Sequence, residues 1–195
     1  MKDIILKNIT KKYVENTVLD HFSCVFRGGE TTCIMGQSGC GKSTLLNILM
    51  GFEPADGGEI LNMPKKCSAV FQENRLCEEF SAMANIRMVT GKTRSEAEIK
   101  KHLTLLGLEE SLHKPVRAFS GGMKRRTAIA RAVLFESELL FMDEPFKGLD
   151  ADTKEQVMQY VMEYTKGKTL VVVTHDEEEC KTLGGALIRM KESKE

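Results

Sequence analysis

The sequence predicts an α/β fold with a parallel-rich sheet, and two kinds of pattern carry this prediction. Residues 138–143 and 170–174 are almost uninterrupted apolar runs, so neither has a polar side that could face solvent. Such runs are typical of parallel strands that are buried on both faces. Residues 32–35 form a third apolar run, which leads into a glycine-rich loop and then into the apolar residues 45–49, in the order strand, loop and helix. A chain of 195 residues, 42% of them hydrophobic, is expected to form one domain with a sizeable core.

Glycines and a helix cap divide the N-terminal half into elements. Residues 3–26 form a predicted strand region that ends before Gly28, and the pair Gly57-Gly58 opens another short strand. Ser95 has the polar side chain of a helix cap, apolar residues follow it at helical spacing, and Gly107 ends the helix. A helix is therefore expected between these two residues.

The C-terminal half is predicted to alternate between helices and strands. Asp150 is placed to cap a helix over residues 151–166. The pattern then predicts a strand, a helix and a strand at residues 170–174, 176–183 and 186–190.

The loop after the third apolar run has the composition of a phosphate-binding loop. It reads Gly36-Gln37-Ser38-Gly39-Cys40-Gly41-Lys42-Ser43-Thr44. Glycines let the backbone turn its N–H groups toward phosphate oxygens, and the helix that follows adds its positive N-terminal end. Lys42 would supply a charge for the β- and γ-phosphates, and Ser43 a hydroxyl for Mg²⁺. The alternative is a glycine-rich turn with a chance Lys-Ser pair, but the flanking strand and helix favour nucleotide binding.

Two acidic residues follow the apolar run at 138–143. Asp143 and Glu144 are expected at the carboxyl end of a buried strand, which is where open α/β sheets bind ligands. There Asp143 is expected to reach Mg²⁺ through a water molecule, and Glu144 can act as the general base for an attacking water. An acidic pair after a strand can also be a helix cap or a solvated turn, but the phosphate-binding loop favours the functional interpretation.

A second anion-binding site is predicted at Ser120-Gly121-Gly122. These residues precede a predicted helix, so a hydroxyl and free N–H groups would point outward from its N-terminus. Taken alone, Ser-Gly-Gly is also a commonplace turn.

Together these motifs, in this order, resemble the nucleotide-binding subunit of ABC transporters over nearly all of the chain. Ser120-Gly121-Gly122 resembles the family signature, with Phe119 and Met123 in place of the usual Leu and Gln. The resemblance implies a P-loop NTPase core with a parallel-rich sheet, an N-terminal antiparallel β subdomain and an inserted α-helical subdomain, within a single domain over residues 1–195. The helical subdomain is expected at about residues 73–120. The resemblance also implies a homodimer or heterodimer, in which the signature of one subunit closes over phosphates held by the other.

Four further residues match family positions. Gln72 matches a glutamine that senses Mg²⁺ and the attacking water, and His175 matches a histidine that contacts the γ-phosphate and orients Glu144. Tyr13 matches an aromatic residue that stacks on adenine, and Asp150 one that communicates across the dimer. Each has a plainer alternative: a loop amide, a structural histidine, an edge tyrosine and a helix cap.

The implied activity is ATP hydrolysis with Mg²⁺ held by Ser43, Gln72 and Asp143, coupled to transport through transmembrane permease subunits. Residues 73–76 and 143–146 look most like those of importers of the nitrate, sulfonate and taurine type. An importer would add an extracytoplasmic substrate-binding protein as a partner. In the family, the region after Gln72 grips a short cytoplasmic helix of the permease. Candidate residues for this contact, with core packing as the alternative, are Leu76, Phe80 and Met83.

Composition excludes some other classes. Lys and Arg total 28 and Asp and Glu total 28, which disfavours a dedicated nucleic-acid binder. The one basic cluster, Lys124-Arg125-Arg126, is expected to serve the local surface and nearby phosphate. The six cysteines lack zinc-site spacing and are expected to be free thiols, of which Cys40 is predicted to react with alkylating reagents. No apolar run approaches the ~18–20 residues needed to cross a bilayer, so the expected location is the cytoplasmic face of the membrane, through partner subunits.

Two other functions use similar motifs. A soluble ABC ATPase usually has two cassettes or a long coiled-coil insertion, and neither pattern is present. A regulator that binds ATP without hydrolysing it would be expected to lack the acidic residue or the histidine, and both Glu144 and His175 are present.

Overall fold

The computed structural model describes residues 1–14 and 16–191, which form two sheets with helices packed around them. The strands of the larger sheet are β3 (Thr31–Met35), β5 (Cys67–Val70), β6 (Leu139–Asp143), β7 (Thr169–Val173) and β8 (Ala186–Arg189). They are parallel and lie in the order β5-β6-β7-β3-β8. The strands of the smaller, antiparallel sheet are β1 (Ile4–Tyr13), β2 (Asn16–Phe26) and β4 (Gly57–Leu61), in the order β2-β1-β4. The predicted α/β fold class is confirmed.

Six helices lie in the segments that connect the parallel strands of the described residues, three of them in succession between β5 and β6. They are α1 (Lys42–Leu49), α2 (Ala82–Thr90), α3 (Glu96–Leu105), α4 (Gly121–Leu134), α5 (Ala151–Tyr164) and α6 (Glu177–Thr182), with short 3₁₀ turns at Glu109–Ser111 and Val116–Ala118.

The predicted caps start α3 and α5. Ser95 Oγ accepts a hydrogen bond from the Glu98 N–H, and the Glu98 carboxylate accepts one from the Ser95 N–H, which closes a capping box. Gly107 follows α3 with a φ of 65°, which suits glycine at a helix end. Asp150 Oδ1 accepts a hydrogen bond of 3.0 Å from the Thr153 N–H. Helix α5 ends at Tyr164, two residues before the predicted end.

The apolar strands face two cores. In β6, Leu139 and Phe141 pack with α1 and the antiparallel sheet, while Leu140 and Met142 pack with the helices α2 to α5. Because successive strand residues point to opposite faces, a strand between two cores must be apolar at every position. This explains the uninterrupted apolar run.

Helices α2 and α3 occupy the predicted helical subdomain, residues 73–120. They share one apolar core with α4, α5 and the parallel sheet. The boundaries of a separate subdomain therefore stay a prediction. Within the described residues, no helix is long and apolar enough to span a membrane.

Strand register brings three chain segments to one edge of the sheet. Val173 at the end of β7 pairs with Asp143 on one side and with Ile34 on the other. The loop after β3, the acidic pair after β6 and the residues after β7 therefore lie side by side at the carboxyl edge of the sheet.

Candidate functional site

A cavity of about 480 Å³ opens at this carboxyl edge. It contains residues from every segment that the register aligns there. Its lining consists of Val18, Gly36, Ser38, Gly39, Gly41, Lys42, Ser43, Thr44, Gln72, Asp143, Glu144, Lys147 and His175.

The glycine-rich loop forms one wall of the cavity. Gly39 and Gly41 have φ values of 89° and 92°, a conformation that other residues rarely adopt. A Cβ on Gly41 would also lie 2.9 Å from the carbonyl oxygen of Val18. Lys42 Nζ donates to the carbonyls of Gly36 at 2.8 Å and Gln37 at 2.7 Å, so the ammonium lies across the loop opening. The loop thus presents backbone N–H groups, a helix start and a cation to the cavity, which suits a phosphate.

Cys40 differs from its prediction. Its side chain is 2% exposed and its Sγ lies 3.7 Å from Lys42 Nζ. A Cβ on Gly36 would approach that sulfur to 2.5 Å, so the thiol fills the space under the loop. The prediction that Cys40 is open to alkylating reagents is wrong for this conformation, because packing beneath the loop buries it.

The acidic pair forms the opposite wall. Burial raises the pKa of Asp143, the neighbouring Glu144 raises it further, and Lys42, Arg125 and Lys147 oppose the rise. Glu144 has a φ of 47°, and its N–H donates to the carbonyl of Val173 at 2.9 Å. Left-handed backbone is unfavourable for glutamate, so this hydrogen bond holds the carboxylate in a turn that aims it at the cavity.

His175 contacts Glu144 directly. Its Nδ1 lies 2.8 Å and 3.0 Å from the two carboxylate oxygens, so with Glu144 ionised the ring N–H donates to it. The Glu144 side chain is 15% exposed and that of His175 is 69% exposed. The histidine therefore covers a mostly buried carboxylate from the solvent side.

Gln72 enters the cavity from the end of β5. The guanidinium of Arg125 on α4 holds its carbonyl at 2.5 Å and the carbonyl of Phe71 at 2.6 Å. Oxygen donors from Ser43, Gln72 and Asp143 thus share one cavity. Hydroxyl, amide and carboxylate oxygens are the ligands that Mg²⁺ prefers, so this donor set fits the ion.

The remaining predicted residues lie outside the cavity lining. Tyr13 is 42% exposed at the end of β1, and its hydroxyl donates to Glu53 Oε1 at 2.5 Å. This hydrogen bond raises the pKa of Tyr13, and a hydrogen bond from the Thr44 hydroxyl opposes it. The ring therefore lies beside the last residue of the loop.

Ser120, Gly121 and Gly122 begin α4. Ser120 is exposed, and its Oγ accepts a hydrogen bond of 3.2 Å from the Met123 N–H. A Cβ on Gly121 would meet nothing within 4 Å.

Asp150 lies at the start of α5. Hydrogen bonding from the Thr153 N–H lowers the pKa of Asp150, and the predicted helix cap is confirmed there.

Three residues of the site were missed by the sequence analysis. Val18 and Lys147 line the cavity but belong to no recognised motif. Lys147 could have been found as the cation between the acidic pair and Asp150. Arg125 was expected at the surface with Lys124 and is 6% exposed instead, because it faces the loop around Gln72.

Comparisons with known proteins give a consistent result. A sequence model described as "ABC transporter" matches residues 19–147. The bicarbonate transport ATP-binding protein CmpD of a Synechocystis strain is 36% identical, covering 96% of this chain and 73% of CmpD. The spermidine/putrescine import ATP-binding protein PotA of Clostridioides difficile is 35% identical, covering 98% of this chain and 60% of PotA. In structure, the dimeric MJ0796, a bacterial ABC transporter cassette, matches with a TM-score of 0.85 and 30% identity, over 96% of this chain and 94% of that one.

Proposed function

This chain belongs to the ABC transporter family, as an ATP-binding ATPase domain, and we propose that it works as a dimer that hydrolyses ATP to drive import through transmembrane subunits. The observation that carries this proposal is the single cavity that contains the glycine-rich loop, Gln72, the acidic pair and His175. Hydrolysis needs a phosphate holder, a metal site and a base, and these residues supply all three.

Hydrolysis proceeds by in-line attack of water on the γ-phosphate. Lys42 and the loop N–H groups hold the phosphates, as do Ser43 and Thr44 at the start of α1. Glu144 accepts the proton of the water, and His175 holds the carboxylate in position through the 2.8 Å contact. Ser43, Gln72 and Asp143 would hold Mg²⁺, which would neutralise phosphate charge.

A second copy of the chain completes the site. The signature residues Ser120 to Gly122 are accessible at the start of α4 but do not line the cavity of their own chain. A helix N-terminus with a serine hydroxyl suits an anion. If this helix terminus binds the γ-phosphate held by another copy, residues of two chains form each ATP site. The dimeric state of the matching bacterial cassette supports this arrangement.

The membrane partner docks beside Gln72. Phe80 in the loop that follows is 53% exposed, whereas Leu76 and Met83 pack against the helical core. A groove of about 480 Å³ lies next to Phe71 and includes Phe52, which is 62% exposed. Exposed aromatic side chains and an apolar groove are typical of protein contacts. We assign the exposed Phe80 and the groove that includes Phe52 to a short cytoplasmic helix of the permease.

The relatives named for bicarbonate transport and for spermidine/putrescine import favour an importer. We propose a peripheral location on the cytoplasmic face, with an extracytoplasmic binding protein on the other side. Their cargoes carry opposite charges, so we assign substrate choice to the membrane and binding subunits. The narrower likeness to nitrate, sulfonate and taurine importers stays a prediction.

Co-purification tests the transport role. Tagged Glu144→Gln protein, solubilised in detergent with ATP, is expected to retain a polytopic membrane protein. Phe80→Asp in the same chain is expected to lose that partner while still binding ATP, because a charge replaces an exposed aromatic contact. Recovery of ribosomes, nucleic acid or the chain alone would instead favour the soluble ABC ATPase.

A further inference from the structure

Arg125 is a buried cation between α4 and the loop that carries Gln72. Its side chain is 6% exposed, and its two terminal nitrogens donate to the carbonyls of Phe71 at 2.6 Å and Gln72 at 2.5 Å. Both acceptors are neutral, and within residues 1–14 and 16–191 no carboxylate forms an ion pair with this guanidinium. A buried charge is unfavourable unless its surroundings compensate for it.

The compensation comes from the ATP site. Burial lowers the pKa of Arg125, while the carboxylates of Asp143 and Glu144 raise it through their charge. In return, the charge of Arg125 opposes the rise in the pKa of Asp143 that burial causes. The guanidinium therefore interacts through its charge with the carboxylates of the cavity, although it does not line the cavity.

The two hydrogen bonds from Arg125 fix the position of the Gln72 backbone. A planar guanidinium that binds two successive carbonyls sets both the position and the direction of that backbone, which a flexible ammonium does not do. The Gln72 side chain extends from this fixed backbone into the cavity. Ser120 caps the same helix that carries Arg125, so a displacement of α4 moves both.

We infer that Arg125 is a positioning residue that ties Gln72 to α4, so that the seating of Ser120 on a second copy and the placement of the Gln72 amide change together. The inference rests on the proposed roles of Gln72 and Ser120. It adds a physical link within one chain between the surface that meets the other copy and the cavity where ATP reacts.

Arg131 provides a matched control on the same helix. It donates to the carbonyls of Arg75 at 2.7 Å and Asn74 at 3.1 Å, which belong to the same loop. Neither of those residues lines the phosphate cavity. Replacing Arg131 removes the same kind of contact without releasing Gln72.

The test is a double-mutant cycle on ATP turnover. Arg125→Lys keeps the charge but cannot bind both carbonyls in one plane, so kcat should fall ~10- to 100-fold, the effect of a misplaced group, with little change in KM. In the Gln72→Ala background the same substitution should lower kcat no further, because its effect passes through Gln72. Arg131→Lys should leave kcat within about twofold of the parent.

Each outcome is decisive. An equal loss of kcat from Arg125→Lys in both backgrounds, or an equal loss from Arg131→Lys, would overturn the inference. If Gln72→Ala alone leaves kcat unchanged, the proposed role of Gln72 fails instead. Arg125→Gln, which brings no buried charge, takes the place of Arg125→Lys in the cycle should thermal unfolding show that the lysine variant is not folded.

Discussion

Replacement of Glu144 by Gln tests the general base. The carboxylate is 15% exposed and contacts His175 Nδ1 at 2.8 Å. Glutamine has the same shape and can keep one contact to the ring, but it cannot accept a proton from water. The left-handed backbone at this position, with φ of 47°, is as accessible to glutamine as to glutamate. The substitution therefore isolates the chemistry from the fold.

The expected loss of hydrolysis rate follows from the role of Glu144 as general base. A positioned general base contributes ~10²–10⁴-fold to a rate, which corresponds to a barrier increase of ~3–5 kcal/mol. The phosphate contacts of Lys42 and the loop are unchanged, so the affinity for ATP should stay close to that of the parent. Slow hydrolysis with retained binding should also allow the ATP-bound dimer to accumulate.

The assay is phosphate release in a single turnover, together with equilibrium binding of ATP. Glu178→Gln is the matched control, since it removes the same charge from an exposed residue of α6 that pairs with Lys181. The control should hydrolyse ATP at the parent rate. Turnover by Glu144→Gln within about threefold of the parent would refute the assignment, because a lost general base cannot leave so small an effect.

Three further substitutions test the metal site, adenine binding and the stability of the fold separately. Burial raises the pKa of Asp143, so the folded state loses stability as the pH rises from the ordinary carboxyl pKa through the raised one. Asp143→Asn should therefore raise the melting temperature at pH 7 while abolishing Mg²⁺-dependent turnover. An unchanged or lower melting temperature would contradict this reasoning. Tyr13→Ala should raise the KM for ATP ~5- to 150-fold through a lost stack of ~1–3 kcal/mol. Tyr13→Phe keeps the ring and loses only the hydroxyl contacts with Glu53 and Thr44, so its KM should stay near that of the parent; equal KM values for the two variants would remove the stacking role. Ser95→Ala breaks the capping box with Glu98, and calorimetry should show a loss of ~1 kcal/mol with kcat intact.

The parts of the fold that sequence predicts well are those set by local chemistry. Glycines with left-handed backbone, as at Gly39 and Gly41, mark the phosphate loop, and Ser95 and Asp150 cap helices through bonds to residues three positions away. Continuous apolar runs mark strands between two cores. Each of these signals lies within a few residues of the structure it specifies.

The features that sequence did not predict depend on contacts across the chain. Arg125 is buried because a loop 53 residues earlier supplies two carbonyls, and its neighbours Lys124 and Arg126 turn toward other partners. Lys147 and Val18 enter the cavity through strand register and loop geometry, which periodicity alone does not reveal. The exposure of Phe80 likewise follows from how the loop after Gln72 packs.

The central claim is that each ATP site is shared by two copies of the chain, and subunit mixing tests it most directly. Lys42→Ala disables the phosphate loop, and Ser120→Asp repels phosphate while an aspartate still caps α4. In a mixed dimer with shared sites, one site carries both defects and the other carries none. Random pairing at equal amounts should therefore restore about a quarter of the parent turnover, although each variant alone is inactive. Turnover no greater than the sum of the separate variants would contradict the shared site and would confine each ATP site to a single chain.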